Sequence, residues 1–491
     1  MAAGSKTGVI VGAGPNGLAA AITLARAGCR VTVLEASDHI GGGTRTEELT
    51  LPGYRHDLCS TVHPLAVLSP VFRSLPLERF GLQWIAPPLP LAHPLDDGTA
   101  AVLHRSLHRT AEGLGADGAA YRHCIGSVVA DWERIAATVL GPPTLLPPRP
   151  LAAARFARRA LRPAAAIAGR FRRPATRALW AGLAAHAMIP LEWRPSAAYG
   201  LVLATAAHLA GWPIPRGGAQ AISDAMAAYL RTLGGDIQLG VRIRDGRDLP
   251  PADVVVTTTT PRQMAHWTRF PARTRRRLAN WPLGPGVCKL DWALREPIPW
   301  TAVDCAQAGT VHVGGGWEEI AAAERAPWRG GPAASRSASP PPFVLVTQPT
   351  QFDPSRAPAG GHIAWGYCHV PNGSSADMTE AIEAQIERFA PGFRRRILAR
   401  HAIVAAEMAG HNPNYTGGDI AGGAQDLAGF LRRMRHGYRT GNRRIFNGSA
   451  AAAPGAGVHG LSGHYAALAA LRSLGLRGGN HLHAGGRVEA E

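Results

Sequence analysis

The sequence predicts an α/β fold in which a Rossmann-like dinucleotide-binding domain is interleaved with an α+β domain, and three separated stretches carry the prediction. Near the start, the apolar run Gly8-Val9-Ile10-Val11 enters Gly12-Ala13-Gly14-Pro15-Asn16-Gly17, a helical pattern follows, and a second apolar run ends at Glu35. In the middle, Pro215-Arg216-Gly217-Gly218 opens an Ala-rich helical pattern to Leu233, followed by strand patterns over Asp236 to Ile243 and Asp253 to Thr259. Near the end, Ile445-Phe446-Asn447-Gly448 reads as a short buried strand, and Pro454-Gly455-Ala456-Gly457-Val458-His459-Gly460 leads into a helical pattern over Leu461 to Leu474.

In the first stretch each glycine has a task. Gly12 permits the tight turn, Gly14 lets backbone N–H groups approach a pyrophosphate with no Cβ in the way, and Gly17 lets the helix pack closely on the strand. Pro15 and Asn16 complete the turn, so the phosphates face the positive end of a helix. That helix is predicted over Leu18 to Ala27 with Gly28 as its C-terminal cap, and Arg30 to Leu34 reads as the second strand. Glu35, with Ala36 beside it, stands where a carboxylate accepts both ribose hydroxyls and repels a 2′-phosphate, which disfavours NADP.

Ile40-Gly41-Gly42-Gly43-Thr44-Arg45-Thr46 follows within a few residues, where an ordinary NAD domain would enter its next helix. This arrangement resembles the second diphosphate motif of FAD enzymes in the flavin amine oxidase and phytoene desaturase superfamily, where a Gly-Gly pair flanked by arginines lies against the pyrophosphate. His39 and Gly43 occupy the flanking positions here, so the resemblance leaves Arg45 as the cation for the phosphates, with Gly42, Gly43 and Thr44 as the backbone around them. A Gly-rich surface loop is the alternative reading of this segment.

The C-terminal stretch is similar to the flavin motif Pro-Gly-Gly-Gly-Val-His-Gly of phytoene-desaturase-like oxidoreductases, with Ala456 at the second glycine; Tyr438-Arg439-Thr440 also resembles that family. The superfamily's usual acid after Gly448 is replaced by Ser449. A glycine-lined helix start there can place N–H groups and a positive dipole near flavin N1 and O2, which favours reduction. The resemblance runs from about Thr7 to Leu474. It implies a glutathione-reductase-type FAD domain, Val241 against the adenine, and Gly448, Gly457 and Val458 at the flavin.

Composition agrees with this. A chain of 491 residues exceeds what one core usually holds, and 46% hydrophobic with 18% charged residues describes a globular protein. The formal charge is +18, yet only Lys6 and Lys289 are lysines, and the Arg bias alone does not indicate nucleic-acid binding. No zinc spacing, stacked-aromatic platform or helix-turn-helix pattern accompanies it, so neither a metal nor a nucleic-acid partner is expected. Cys29, Cys59, Cys124, Cys288, Cys305 and Cys368 lie far apart and read as reduced thiols. No leader and no uninterrupted apolar run of about 18 residues is found, so a cytoplasmic location is expected.

The FAD domain is expected to comprise 1–75, 213–265 and 435–491, and the substrate domain 76–212 and 266–434. Strands are predicted over Gly309 to Val313, Phe343 to Gln348 and His362 to Val370, and a surface loop over Ala326 to Pro342. No acidic residue occurs between Glu133 and Glu192, while Arg155, Arg158, Arg159, Arg162, Arg170, Arg172, Arg173 and Arg177 crowd the middle. Two readings of 155–177 are open: a basic helix in peripheral contact with an anionic membrane, or a solvated Arg face on a helix pair that lids the substrate tunnel.

Gly286 to Leu294 reads as a strand with Cys288, Leu290, Trp292 and Leu294 on an apolar face and Lys289 with Asp291 on the other. In flavin amine oxidases a lysine after a Pro-Leu-Gly segment holds a water on flavin N5, and Pro282-Leu283-Gly284 precedes Lys289 similarly. Lys289 is therefore one catalytic candidate, with an exposed pair to Asp291 as the alternative. His459 is the other, with a purely backbone-bonding role as its alternative. His56, Asp57 and His63 are expected to line the flavin cavity. The resemblance implies an FAD-dependent oxidoreductase that desaturates an apolar small molecule by hydride transfer to flavin N5. An oxygen-using amine or imine oxidase and a non-catalytic FAD-binding scaffold are the alternatives.

Overall fold

The computed structural model of the chain describes residues 5–144, 146–329 and 340–476. The chain opens with β1 (Thr7–Val11), α1 (Pro15–Arg26) and β2 (Arg30–Leu34), then crosses to β3 (Leu89–Pro94) and β4 (Ala100–Leu103). It continues through α2 (Pro150–Ala160), α3 (Pro174–Ala185) and α4 (Ser196–Ala210) and returns with α5 (Gln220–Thr232), β5 (Asp236–Gln238) and β6 (Val254–Thr257). It leaves again as β7 (Gly286–Leu294), β8 (Ala308–Val313), α6 (Trp317–Arg329), β9 (Val344–Thr347), β10 (His362–Val370), β11 (Ile397–Ile403) and α7 (Leu427–His436). The last elements are β12 (Ile445–Asn447) and α8 (Leu461–Ser473).

One sheet has the order β12-β6-β1-β2-β5 with every pair parallel, so strands from the start, middle and end of the chain lie side by side. Val9 pairs with both Val255 and Thr32. Burial on both faces explains why β1 is an unbroken apolar run rather than an alternating one. On one face α1 lies against α8. The approach needs glycine, because a Cβ on Gly463 would overlap the Asn16 carbonyl oxygen. Thr23 Oγ1 and His464 Nδ1 join the two helices at 2.8 Å.

The second sheet has the order β11-β7-β10-β9-β8-β3-β4, antiparallel except where β8 meets β3. Cys288, Leu290, Trp292 and Leu294 turn to one apolar cluster with Ile382, Ile386, Phe389 and Phe393. The opposite face carries Lys289 and Asp291, in register with Tyr367 and Trp365 of β10.

Several boundaries differ from expectation. α1 starts at Pro15, since proline at a helix's first position loses no intrahelical bond. The strand expected over Asp236 to Ile243 stops at Gln238, because Gly240 turns the chain with φ +72°. The segment expected as a loop from Ala326 is helical to Arg329, with Pro327 inside α6, and its 330–339 part lies outside the described residues. All six cysteines are unpaired.

Candidate active site

Between the two sheets and the helices α2, α3 and α4 lies a cavity of about 1200 Å3. Ligand pockets usually measure roughly 300–1,000 Å3, so this one has room for more than a single small molecule. Gly12, Gly14, Pro15, Asn16 and Gly17 line it, as do Glu35, Ala36, Gly42, Gly43, Thr44 and Val241. Ser449 to Ala451 and Ala456 to His459 line it as well, so the two glycine clusters share one space.

The cradle at α1 is built from bare backbone. A Cβ on Gly42 would sit 3.2 Å from Gly14 Cα, and one on Gly12, whose φ is +101°, would collide with Thr258 Oγ1. The loops are held by Gly41 N–H donating to the Ala13 carbonyl at 3.0 Å and by Thr44 Oγ1, which donates to the Gly41 carbonyl at 2.8 Å. Asn16 Oδ1 is buried in this wall without a hydrogen-bond partner. At the end of β2, Glu35 accepts from Ala13 N–H at 2.6 Å and from Ser37 N–H at 3.0 Å, which fixes the carboxylate and leaves lone pairs for hydroxyl groups. Val241, beyond β5, donates its N–H to the Glu35 carbonyl at 2.7 Å. Bare backbone at the start of α1 and an anchored acid at the end of β2 fit the diphosphate and ribose of FAD.

Four sequence-based assignments are corrected. Arg45 does not line the cavity, because its guanidinium is held elsewhere: Nη2 donates to the His411 carbonyl at 2.8 Å and Nε lies 3.4 Å from Glu47. The cations in the wall are instead Arg242, Arg244 and Arg433, of which Arg433 spends its donors on the Gly423 and Ala424 carbonyls. Gly448 is a packing glycine, where a Cβ would come within 3.0 Å of Gly463 Cα. His56 and Asp57 are fully buried behind the wall.

Lys289 is not exposed and does not line the cavity. Its ammonium donates to both carboxylate oxygens of Asp291 at 2.6 and 2.5 Å, at 2% exposure, and lies 5.3 Å from the centre of the Trp365 ring. Trp365 itself lines the cavity, so it separates the ammonium from that space. His459 does line it, but Nδ1 is occupied, accepting from Leu461 N–H at 3.1 Å. Burial lowers its pKa to about 4, so it is neutral near neutral pH and holds the terminal turn in place. His63 reaches the wall with Nε2 unpartnered, and burial lowers it to about 4 too.

The aromatic and apolar wall of the cavity was not identified from the sequence. Trp365 and Tyr367 stack at 5.6 Å with 18° between their planes, and Thr310, Leu345 and Thr347 continue the floor. The i, i+2 aromatic pair in β10 was the available signal. Opposite, Ala153, Phe156, Ala157 and Ala160 of α2 face inward, which places that helix over the cavity. Its arginines turn outward, with Arg155 on Asp131 at 3.0 Å and Arg159 on Ser127 at 2.5 Å, and Arg162 lies past the helix end. Among the described residues no helix is long and apolar enough to cross a membrane, and no cluster of three metal-ligating side chains occurs.

Residues 10–75 match the NAD(P)-binding Rossmann-like domain family. The chain is 37% identical over 106 residues to a component of the limonene dehydrogenase of Castellaniella defragrans, an alignment covering 22% of this chain and 19% of that one. It is 24% identical over 558 aligned positions to pyridine nucleotide-disulfide oxidoreductase domain-containing protein 2 of Mus musculus, covering 95% and 93%. Putrescine oxidase superposes over 96% of this chain and 98% of its own, with a TM-score of 0.60 at 17% identity. The chain has the fold of putrescine oxidase, and its first 75 residues contain a nucleotide-binding Rossmann-like segment. The two-sheet architecture with its bare-backbone cradle is the flavin amine oxidase fold.

Proposed function

We propose that the chain is an FAD-dependent oxidoreductase that dehydrogenates an apolar small molecule. The observation that carries the reading is the single cavity bounded by both glycine clusters and continued by an apolar wall. Gly14, Asn16, Gly17 and Gly42 would hold the diphosphate, Glu35 the ribose, Val241 the adenine, and Ala456 to Val458 the flavin. Bound FAD supplies the two-electron acceptor for a hydride leaving a substrate C–H bond. The protein's part is to orient that bond and exclude water, tasks suited to Trp365, Tyr367, Phe156 and Leu345. The positive end of α8, directly after His459, favours the negative charge of the reduced state. An amine oxidase reading is less well supported, because Lys289 lies behind Trp365.

The purified protein is expected to be yellow and to release FAD, and an apolar substrate is expected to bleach the flavin band anaerobically. Persistent oxidised flavin with every apolar candidate would instead favour a scaffold. Glu35→Ala removes charge-assisted hydrogen bonds worth about 1.5–3 kcal/mol, so the Kd for FAD should rise by about tenfold to a hundredfold in equilibrium titration.

We further propose that the outer side of α2 and α7 rests on an anionic membrane. Phe430 and Met434 of α7 line the cavity, Leu431 stands exposed beside Arg432 and Arg435 in the same helix, and Leu151 and Leu161 stand exposed at the two ends of α2, which carries Arg155 and Arg158. Co-sedimentation with phosphatidylglycerol vesicles at low salt is expected, with release as salt rises. Absence of binding at low salt would remove this contact.

A further inference from the structure

Where α3 ends against β8, the cavity wall carries an imidazole that the coenzyme cradle does not use. His186 caps α3, lines the cavity and holds its Nε2 3.0 Å from Nε2 of His312 on β8. Trp212 packs edge-on against the His186 ring at 5.8 Å. The backbone is strained at this point. Two residues on, Met188 has φ +55°, the one non-glycine residue with positive φ among the described residues. Such strain persists only where the surroundings impose it, and here it brings His186 and Met188 to the same wall.

Burial lowers the His186 pKa to about 3 and pushes His312 well below its ordinary value, so both rings are neutral at neutral pH. Two neutral imidazoles meeting through their Nε2 atoms share one proton between those atoms. His312 Nδ1 is buried without a partner, and an orphaned N–H is costlier than an orphaned lone pair. His312 therefore carries its proton on Nε2 and donates it to His186. His186 must then keep its own proton on Nδ1, for which no partner occurs among the described residues. The ring is thus a fixed hydrogen-bond donor in a largely apolar wall.

We propose that His186 is a specificity-determining residue that donates a hydrogen bond to an oxygen on an otherwise apolar substrate, with His312 as its positioning residue. The inference rests on reading the cavity as the substrate site, and it narrows the substrate class from hydrocarbons to apolar ketones, aldehydes or alcohols. No proton leaves the imidazole, because the contact serves recognition alone.

The test uses FAD-loaded protein and titrates nonane and 2-nonanone, followed by calorimetry and by perturbation of the flavin spectrum. The ketone is expected to bind about threefold to tenfold more tightly than the alkane, as one added hydrogen bond allows. His186→Leu should abolish that preference while leaving flavin content unchanged. His186→Gln, which keeps an N–H donor, should retain part of it, and stands in for the leucine variant if that one does not fold, through comparison with His312→Leu, which should weaken the preference by freeing the tautomer. Equal affinity for the two probes in the parent protein, or an undiminished preference in His186→Leu, would overturn the proposal. A parent protein that holds no FAD would instead overturn the cofactor reading, so the two failures are separable.

Discussion

Gly17→Ala is expected to give protein that neither retains FAD on purification nor regains it on titration. A Cβ at position 17 would overlap the Gly12 carbonyl oxygen, so α1 and the β1 turn must move apart before the residue fits. Neither side can yield cheaply: Gly12 is held in the left-handed region with φ +101°, and its N–H donates to the Leu34 carbonyl at 2.8 Å. Overpacking of this sort costs about 1–3 kcal/mol, and the displacement falls on the backbone that cradles the diphosphate. Gly14→Ala is the instructive contrast. Its Cβ would lie 3.7 Å from Gly42 Cα, an ordinary contact, so that variant should stay folded and lose only affinity. Flavin-to-protein absorbance ratios and the denaturant midpoint distinguish the two. A stoichiometrically yellow Gly17→Ala protein would contradict the assignment of this turn.

Asp57→Ala should be the most destabilising single change near the cavity. Asp57 pairs with Arg356 Nη2 at 3.0 Å and accepts from Thr46 and Thr61 hydroxyls, each at 2.7 Å, and from Ala219 N–H at 2.8 Å. Arg356 is fully buried, so removing the carboxylate leaves a guanidinium without a counter-charge, at a cost of about 3–5 kcal/mol. Thr61 would lose a partner while it receives the Trp365 indole N–H, so the floor of the cavity should loosen as well. Pairing the change with Arg356→Met should recover much of the loss, because it removes the stranded charge. The same group predicts a pH dependence. Burial pushes its carboxyl up, but Arg356 and the three hydrogen-bond donors outweigh burial and hold the pKa below the usual value. Its contribution is therefore complete above the unfolded-state pKa of roughly 3.9 and is lost as pH falls through the lower folded value. Acid unfolding monitored by tryptophan fluorescence should show that loss in the parent and not in Asp57→Ala.

The parallel sheet was legible because its evidence is local. Apolar runs, a Gly-rich turn and a terminal acid identify β1, α1 and β2 from adjacent residues. The strand at Asp236 was overextended because a glycine with positive φ ends it, and alternation alone does not reveal that. Lys289 shows the other limit. Its alternation with Leu290 assigned the correct face, but the cover over that face comes from Trp365, a strand away, so an exposed ammonium and a buried one read alike. Arg45 matched by spacing and failed by direction, since its partner His411 lies 366 positions away. The His186–His312 pair left no sequence signal at all, because the two rings meet only when α3 docks on β8.

Interleaving three distant segments in one sheet governs the order in which the molecule can be assembled. As the chain leaves the ribosome, α1 emerges long before α8, against which it must pack, and its apolar side waits unprotected through the synthesis of more than four hundred residues. Closing such loops is slow, so assembly should depend on chaperones that hold the nascent chain.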